Sequence, residues 1–277
     1  MRILIVGGDG QLGTRLNLLL KKKNEIYSWD IEELDITKGQ ETINKINNLS
    51  PEVIINAAAY TEVDGCEENV DLAYKVNAFG VRNLAVAAKK CGAKLVHVST
   101  DFIFSGDTES SYLEFDDPNP ISVYGKSKLV GEQFVKNLCS QYFIVRTAWL
   151  YGDHGDNFVT TMLSLAQERA QLKIVDDQIG TPTYAKDLAQ VIKKLIETDL
   201  FGTYHASNSG QASWYQFAEK IFEYSNTEIE VKPISSEQFP QAAERPKFSV
   251  MKNYSLNQSL GYEMRNWDDA LKDYFNK

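Results

Sequence analysis

Short apolar runs recur through the first half of the chain, and longer segments of mixed polarity separate them. The runs cover residues 2–6, 25–30, 51–56, 94–99 and 141–146. A short continuous apolar run suits a parallel strand that is covered on both faces. Between the runs, the pattern predicts a helix ending near residue 20, helices over 70–90 and 124–138, and a long polar loop over 104–120. The alternation predicts an α/β fold with a Rossmann-type, doubly wound parallel sheet.

The pattern changes after Trp149, where the strands become fewer and the helices dominate. Helices are predicted over 157–169, 184–198, 213–224 and 267–275, and strands over 172–175 and 203–206. We therefore expect a Rossmann domain over 1–148, to which 184–206 returns, and a smaller C-terminal lobe over 149–277.

A glycine-rich loop joins the first strand to the first helix. Gly8, Gly10 and Gly13 fit the spacing G-x-G-x-x-G, and Gly7, Gly10 and Gly13 fit G-x-x-G-x-x-G. Glycines let the backbone approach a pyrophosphate, and the helix N-terminus offers free N–H groups to it. Because the loop directly follows a buried strand, it predicts a dinucleotide site; the alternative is a tight turn without a ligand.

Asp30 ends the second predicted strand, 20 residues after Gly10. A carboxylate in this place can accept hydrogen bonds from the adenosine ribose of the cofactor, and it opposes a 2′-phosphate. The alternative is an aspartate that caps a helix or stabilises a loop.

Tyr124 and Lys128 lie one turn apart on the same face of a predicted helix. A tyrosine can donate a proton to a carbonyl oxygen, and a neighbouring ammonium group is expected to lower the pKa of the phenol. An ordinary exposed helix face is the alternative. Thr100 and Asp101 follow the fourth predicted strand, at the sheet edge where active sites of doubly wound folds lie.

Composition narrows the choice of partners. The net charge of −9 disfavours nucleic-acid binding.

Three cysteines without a C-x-x-C pair predict free thiols in a reducing compartment, so we expect a cytoplasmic protein. The apolar start is too short for a signal peptide or a membrane span. The three histidines are too scattered to predict a metal site.

Several motifs occur in a fixed order along nearly the whole chain. Besides the glycine loop, they are NAAAYT at 56–61, VD at 63–64, NA at 77–78, STDF at 99–102, YGKSK at 124–128, RTAWLYG at 146–152, DQIGTPT at 177–183 and RP at 245–246. With these motifs the chain resembles the extended short-chain dehydrogenase/reductase superfamily and, within it, the dTDP-4-dehydrorhamnose reductase family.

The resemblance implies a role for each matching residue. The cofactor-binding set would be Gly7, Gly10, Gln11, Leu12, Gly13, Asp30, Asp35, Ile36, Ala59, Tyr60, Thr61, Val98, Tyr124 and Lys128. The substrate-binding set would be Thr100, Asp101, Trp149 and Arg245. Tyr124 would be the proton donor, Lys128 would hold the nicotinamide ribose and polarise Tyr124, and Thr100 would help to tune it.

The implied reaction is reduction of dTDP-4-dehydro-6-deoxy-L-mannose at C4 to dTDP-L-rhamnose, with NADPH or NADH as the hydride source. Magnesium is known for some members of the family, but the sequence offers no ligand cluster to which it can be assigned. The implied partner is a dTDP-sugar, with no nucleic acid and no membrane, and a homodimer is compatible with this interpretation.

Two alternatives come from related proteins. A nucleotide-sugar dehydratase typically has a glutamate directly after the Thr-Asp pair; Phe102 stands there and cannot abstract a proton. Epimerisation stays open. A regulatory subunit, such as that of methionine adenosyltransferase, would bind dinucleotide without turning over a sugar, but it would not need the intact set of Thr100, Tyr124 and Lys128.

Overall fold

A computed structural model describes residues 1–276. Lys277, the last residue of the predicted C-terminal lobe, lies outside the described residues. The strands are β1 (Arg2–Val6), β2 (Glu25–Trp29), β3 (Val53–Asn56), β4 (Lys94–Thr100), β5 (Tyr142–Thr147), β6 (Leu150–Tyr151), β7 (Gln171–Val175), β8 (Ile179–Gly180), β9 (Thr183–Tyr184), β10 (Gly202–His205), β11 (Ala212–Ser213) and β12 (Glu230–Ile234).

The helices surround these strands. They are α1 (Gln11–Leu20), α2 (Gly39–Leu49), α3 (Val63–Glu68), α4 (Val70–Tyr74), α5 (Val81–Cys91), α6 (Val123–Leu138), α7 (Phe158–Glu168), α8 (Ala185–Ile196), α9 (Trp214–Ser225), α10 (Tyr254–Leu260) and α11 (Trp267–Phe275). The chain also contains three further helical turns. One is π-helical, Lys75–Gly80, and two are 3-10 turns, Asp101–Ile103 and Ser236–Gln238.

The central sheet has six parallel strands in the order β2-β1-β3-β4-β5-β10. Alternate residues of β1 enter different cores: Ile3 and Ile5 pack with α1 and α8, whereas Leu4 and Val6 pack with α2 and α5. Burial on both faces explains why the inner strands β1, β3, β4 and β5 are largely apolar runs. The predicted doubly wound Rossmann-type fold is thereby confirmed.

A second core lies outside the sheet. Its buried side chains come mainly from α7, α9 and α11 and from β7, which pairs in parallel with β12. β10 is an edge strand of the six-stranded sheet, and α8 and Leu256 of α10 pack against this sheet. The division into two lobes at residue 149 stays a prediction.

Several elements differ from the sequence pattern. The predicted helix over 70–90 is broken by the π-helical turn, which turns the Asn77 side chain inward to Tyr60 and Ser127. Strand β12 is not predicted by the pattern because most of its side chains are exposed and it has no apolar run. The short helices α3 and α10 are also absent from the prediction, because neither is long enough to show a helical period.

No helix within residues 1–276 is both long and apolar enough to cross a membrane. Cys66, Cys91 and Cys139 are all free thiols, as the sequence predicts.

Candidate active site

One cleft of about 1500 Å³ opens at the carboxyl ends of the sheet strands. Every residue of the two predicted binding sets lines it except Tyr60: Gly7, Gly10, Gln11, Leu12, Gly13, Asp30, Asp35, Ile36, Ala59, Thr61, Val98, Thr100, Asp101, Tyr124, Lys128, Trp149 and Arg245. Tyr60 packs instead below the cleft, beside Cys66 and Tyr124, and its backbone N–H donates to Asn77 Oδ1 (2.8 Å).

The glycine loop lies where the strand order reverses, between β1 and β3. Gly7 has a φ of 78°, and a Cβ atom there would lie 2.6 Å from the backbone nitrogen of Ala58. Only glycine fits this close approach. Gly10 begins α1 without a side-chain cap, so the first N–H groups of the helix are available to an anion from the cleft.

Asp30 lies directly after β2, half-buried, and lines the cleft. Its Oδ2 accepts the N–H of Asp9 (3.1 Å) and its Oδ1 that of Ile31 (2.8 Å). Asp35 accepts the hydroxyl of Thr37 (2.7 Å), and this hydrogen bond lowers the pKa of the Asp35 carboxyl. These contacts fix two carboxylates where the sequence predicts the adenosine end of a dinucleotide.

Tyr124 is buried near the start of α6, with a relative exposure of 9%. Its ring meets that of Phe102 edge to face, with the centroids 5.6 Å apart. Burial raises the pKa of Tyr124, and the hydrogen bond with Thr100 acts in the opposite direction. Desolvation of the phenolate dominates the pKa of Tyr124 in the structure described, and the expectation that Lys128 lowers this pKa stays a prediction.

Lys128 turns its ammonium group toward the sheet, where Nζ donates to the carbonyl oxygen of Val98 (2.7 Å). Burial lowers the pKa of Lys128 to about 8, and the negative charge of Glu132, one turn further along α6, opposes this shift. Glu132 in turn accepts two hydrogen bonds from Arg146 of β5 (2.9 and 2.8 Å), and both side chains are buried. This buried pair fastens α6 to the sheet below the cleft.

Thr100 and Asp101 lie together at the end of β4. The Thr100 hydroxyl donates to Asp101 Oδ1 (3.0 Å) and accepts the N–H of Phe102 (3.2 Å). Burial raises the pKa of Asp101 to about 6, while hydrogen bonds with Ser249 and Thr100 act against the shift. The cleft thus holds a phenol, a hydroxyl, an ammonium and a carboxyl group within two neighbouring elements.

Trp149 also lines the cleft. It has a φ of 44°, a left-handed conformation that is uncommon for a bulky residue and is often found at functional sites. Its indole stacks on that of Trp214, with the centroids 3.5 Å apart and the planes 5° apart. Trp214 also lines the cleft, but nothing in its sequence context predicts this.

Arg245 reaches the cleft from the late loop, and its guanidinium group is held by Asp64. Nη1 and Nη2 donate to the two carboxylate oxygens (3.1 and 2.9 Å). The VD motif at 63–64 and the RP motif at 245–246 are thus joined by one contact. The sequence does not predict this pairing, because the two partners are 181 positions apart.

Further cleft residues come from the second core and its loops. They include Asp156, Asn157, Phe158, Arg169, Lys173, Gln238, Phe239 and Gln241. The Gln11 amide donates to the carbonyl oxygen of Asp156 (3.3 Å), so the glycine loop and the loop after β6 are in contact. Among residues 1–276, no group of three or more His, Cys, Asp or Glu side chains is arranged to hold a metal ion.

Comparisons with known proteins agree with this geometry. The family described as RmlD substrate binding domain matches residues 1–277. A dTDP-4-dehydrorhamnose reductase of Aggregatibacter actinomycetemcomitans is 41% identical, covering 98% of this chain and 97% of that protein. The spore coat polysaccharide biosynthesis protein SpsK of Bacillus subtilis is 38% identical, covering 99% and 96%.

Among solved structures, the dTDP-4-dehydrorhamnose reductase of Bacillus anthracis in complex with NADP superposes with a TM-score of 0.97. It is 48% identical, and the match covers 99% of this chain and 98% of that one. Because the family match extends over the whole chain and the relatives are aligned over nearly their full length, the chain belongs to the RmlD family of dTDP-4-dehydrorhamnose reductases.

Proposed function

We propose that the protein is an NAD(P)H-dependent oxidoreductase that reduces dTDP-4-dehydro-6-deoxy-L-mannose at C4 and produces dTDP-L-rhamnose. The observation that carries the proposal is the single cleft in which Thr100, Tyr124 and Lys128 lie beside a dinucleotide-binding glycine loop. A binding module without turnover would need the loop but not these three side chains.

The residues of the cleft fit a dinucleotide. The free N–H groups at the start of α1 would hold the pyrophosphate, and Asp30 would accept the hydroxyls of the adenosine ribose. Lys128, whose ammonium group already lies near Val98, would hold the nicotinamide ribose. When bound, the reduced nicotinamide supplies the hydride.

The chain's own residues would supply the proton and the orientation. Tyr124 would donate its phenolic proton to the sugar oxygen, where negative charge develops as C4 is reduced. Lys128, while protonated, would stabilise the phenolate that remains. Thr100 would bind the same oxygen, and Asp101 and Trp149 would contact the sugar nucleotide.

The two cores suggest how the chain divides this work. Residues 1–148, with the returning segment 184–206, would form the cofactor-binding domain. The core of α7, α9 and α11 would bind the nucleotide end of the substrate. A homodimer and a cytoplasmic location remain predictions from the sequence.

The test is a turnover assay with the purified protein, the 4-keto sugar nucleotide and NADPH or NADH, followed by the absorbance of the reduced nicotinamide. We expect cofactor oxidation in step with formation of dTDP-L-rhamnose. An epimerase would interconvert sugars without net oxidation of the cofactor, and a regulatory subunit would bind the dinucleotide without any sugar turnover. Either result would refute the proposal.

A further inference from the structure

Residues 235–247, here termed the strap, extend along the mouth of the cleft from the second core to α3. At one end, the N–H of Ser236 donates to both Asp177 oxygens (2.9 and 3.0 Å), and its hydroxyl donates to Oδ2 (2.9 Å). In the middle, Phe239 lines the cleft although the residue is 54% exposed. The strap is therefore fixed at its start and open to a ligand at its centre.

The other end of the strap is fixed by Asp64 on α3. Besides the two hydrogen bonds from Arg245, Asp64 Oδ1 accepts the N–H of Ala243 (2.9 Å). The Arg245 side chain is 16% exposed and that of Asp64 40%, so the pair is only partly shielded from water. Its strength comes from the two-pronged geometry and the additional backbone donor.

One turn further along α3, Glu67 contacts the helix of the proton donor. Its Oε1 accepts the N–H of Val123 (2.8 Å), which is the first residue of α6 and precedes Tyr124. An N–H group at the start of a helix has no partner within the helix, and a negative charge is favourable there. Glu67 thus fixes the backbone from which the Tyr124 side chain projects.

Between these two carboxylates, α3 also packs against the proton donor itself. Cys66 is fully buried and belongs to the same small hydrophobic cluster as Ala73 and Tyr124. The six-residue helix therefore contacts the strap with one side chain, the start of α6 with another, and the cluster around the Tyr124 ring with a third.

We propose that α3 couples the strap to the proton donor, with Asp64 and Glu67 as positioning residues for Tyr124. This inference rests on the proposed function only for the role of Tyr124. A ligand that holds the strap against the cleft would stabilise α3 through Asp64, and α3 would stabilise the start of α6 through Glu67. Since coupling is reciprocal, loosening either contact loosens the other.

Amide hydrogen exchange of the full chain without any ligand tests the coupling independently of turnover. Asp64→Ala should speed exchange in the strap about tenfold, as loss of a charge-assisted hydrogen bond predicts. It should also speed exchange in the first turn of α6, where the Val123 N–H is held by Glu67 and not by Asp64. Glu67→Ala should also speed exchange in both segments, but more in the first turn of α6 than in the strap.

Two further variants serve as controls. Glu68→Ala changes an exposed residue on the same helix and should leave both segments unchanged. Glu67→Gln keeps an oxygen acceptor for the Val123 N–H and should restore slow exchange. If each alanine variant loosens only the segment that its own side chain contacts, or if Glu68→Ala acts as strongly as they do, the coupling is refuted.

Kinetics then test whether the coupling serves the reaction. Asp64→Ala should lower kcat as well as raise KM for the sugar nucleotide, while the Kd for NADPH stays unchanged. A rise in KM alone would mean that the strap binds substrate without positioning Tyr124, and it would overturn the inference even if the proposed reaction is correct. No turnover by the unaltered protein would instead refute the proposed function.

Discussion

The replacement Tyr124→Phe isolates the proposed proton donor with little disturbance of the fold. It removes one hydroxyl group and keeps the ring that packs against Phe102 and beside Cys66. The hydroxyl that is removed forms a hydrogen bond with Thr100, and the Thr100 hydroxyl keeps its hydrogen bonds to Asp101 and Phe102. The free energy of unfolding should therefore change by no more than about 1.5 kcal/mol.

The effect on the reaction should be much larger. General acid catalysis by a positioned side chain contributes about 10²–10⁴ in rate. At about 1.36 kcal/mol for each factor of ten, the loss corresponds to about 2.7–5.4 kcal/mol in the barrier. The NADPH affinity should change little, because the ring and Lys128 remain in the cleft. We expect kcat to fall by this amount at an unchanged cofactor Kd.

Single-turnover oxidation of NADPH by the 4-keto sugar nucleotide measures the chemical step directly. Thr100→Val should be milder, because it removes roughly one hydrogen bond, about 0.5–1.5 kcal/mol. Tyr142→Phe provides a matched control, since Tyr142 begins β5 at the sheet edge opposite the cleft. Near-normal turnover by Tyr124→Phe, or a larger loss in Thr100→Val, would show that the proton comes from another group.

Three further outcomes test the cleft. Asp30→Ala should weaken NADH binding more than NADPH binding, because the carboxylate is proposed to accept the ribose hydroxyls and to oppose a 2′-phosphate. Equal losses of affinity in titrations with the two cofactors would contradict this contact. The value of kcat/KM should fall above about pH 8, where Lys128 loses its proton. Glu132→Gln should move this basic limb of the pH profile to lower pH, because the negative charge of Glu132 raises the pKa of Lys128. A limb that stays in place would exclude Lys128 as its origin. Gly180→Ala would place a Cβ atom 2.6 Å from the Trp149 indole nitrogen, so KM for the sugar nucleotide should rise while the Kd for NADPH stays constant.

The sequence by itself determined the sheet and the chemistry at its edge. Strands that are buried on both faces must be continuous apolar runs, so β1, β3, β4 and β5 are visible as such. The glycine loop and the Tyr124–Lys128 spacing are local patterns, because backbone conformation and helix periodicity act over a few residues.

Only the tertiary structure decided how distant segments meet. The contact between Asp64 and Arg245 joins residues 181 positions apart, and the stacking of Trp149 on Trp214 joins the segment between β5 and β6 to the start of α9. The burial that raises the pKa of Tyr124 is likewise a property of the packed cleft, although the neighbouring lysine is visible in the sequence. Side-chain spacing along one helix is fixed by its geometry, but the desolvation of a charge depends on everything that surrounds it.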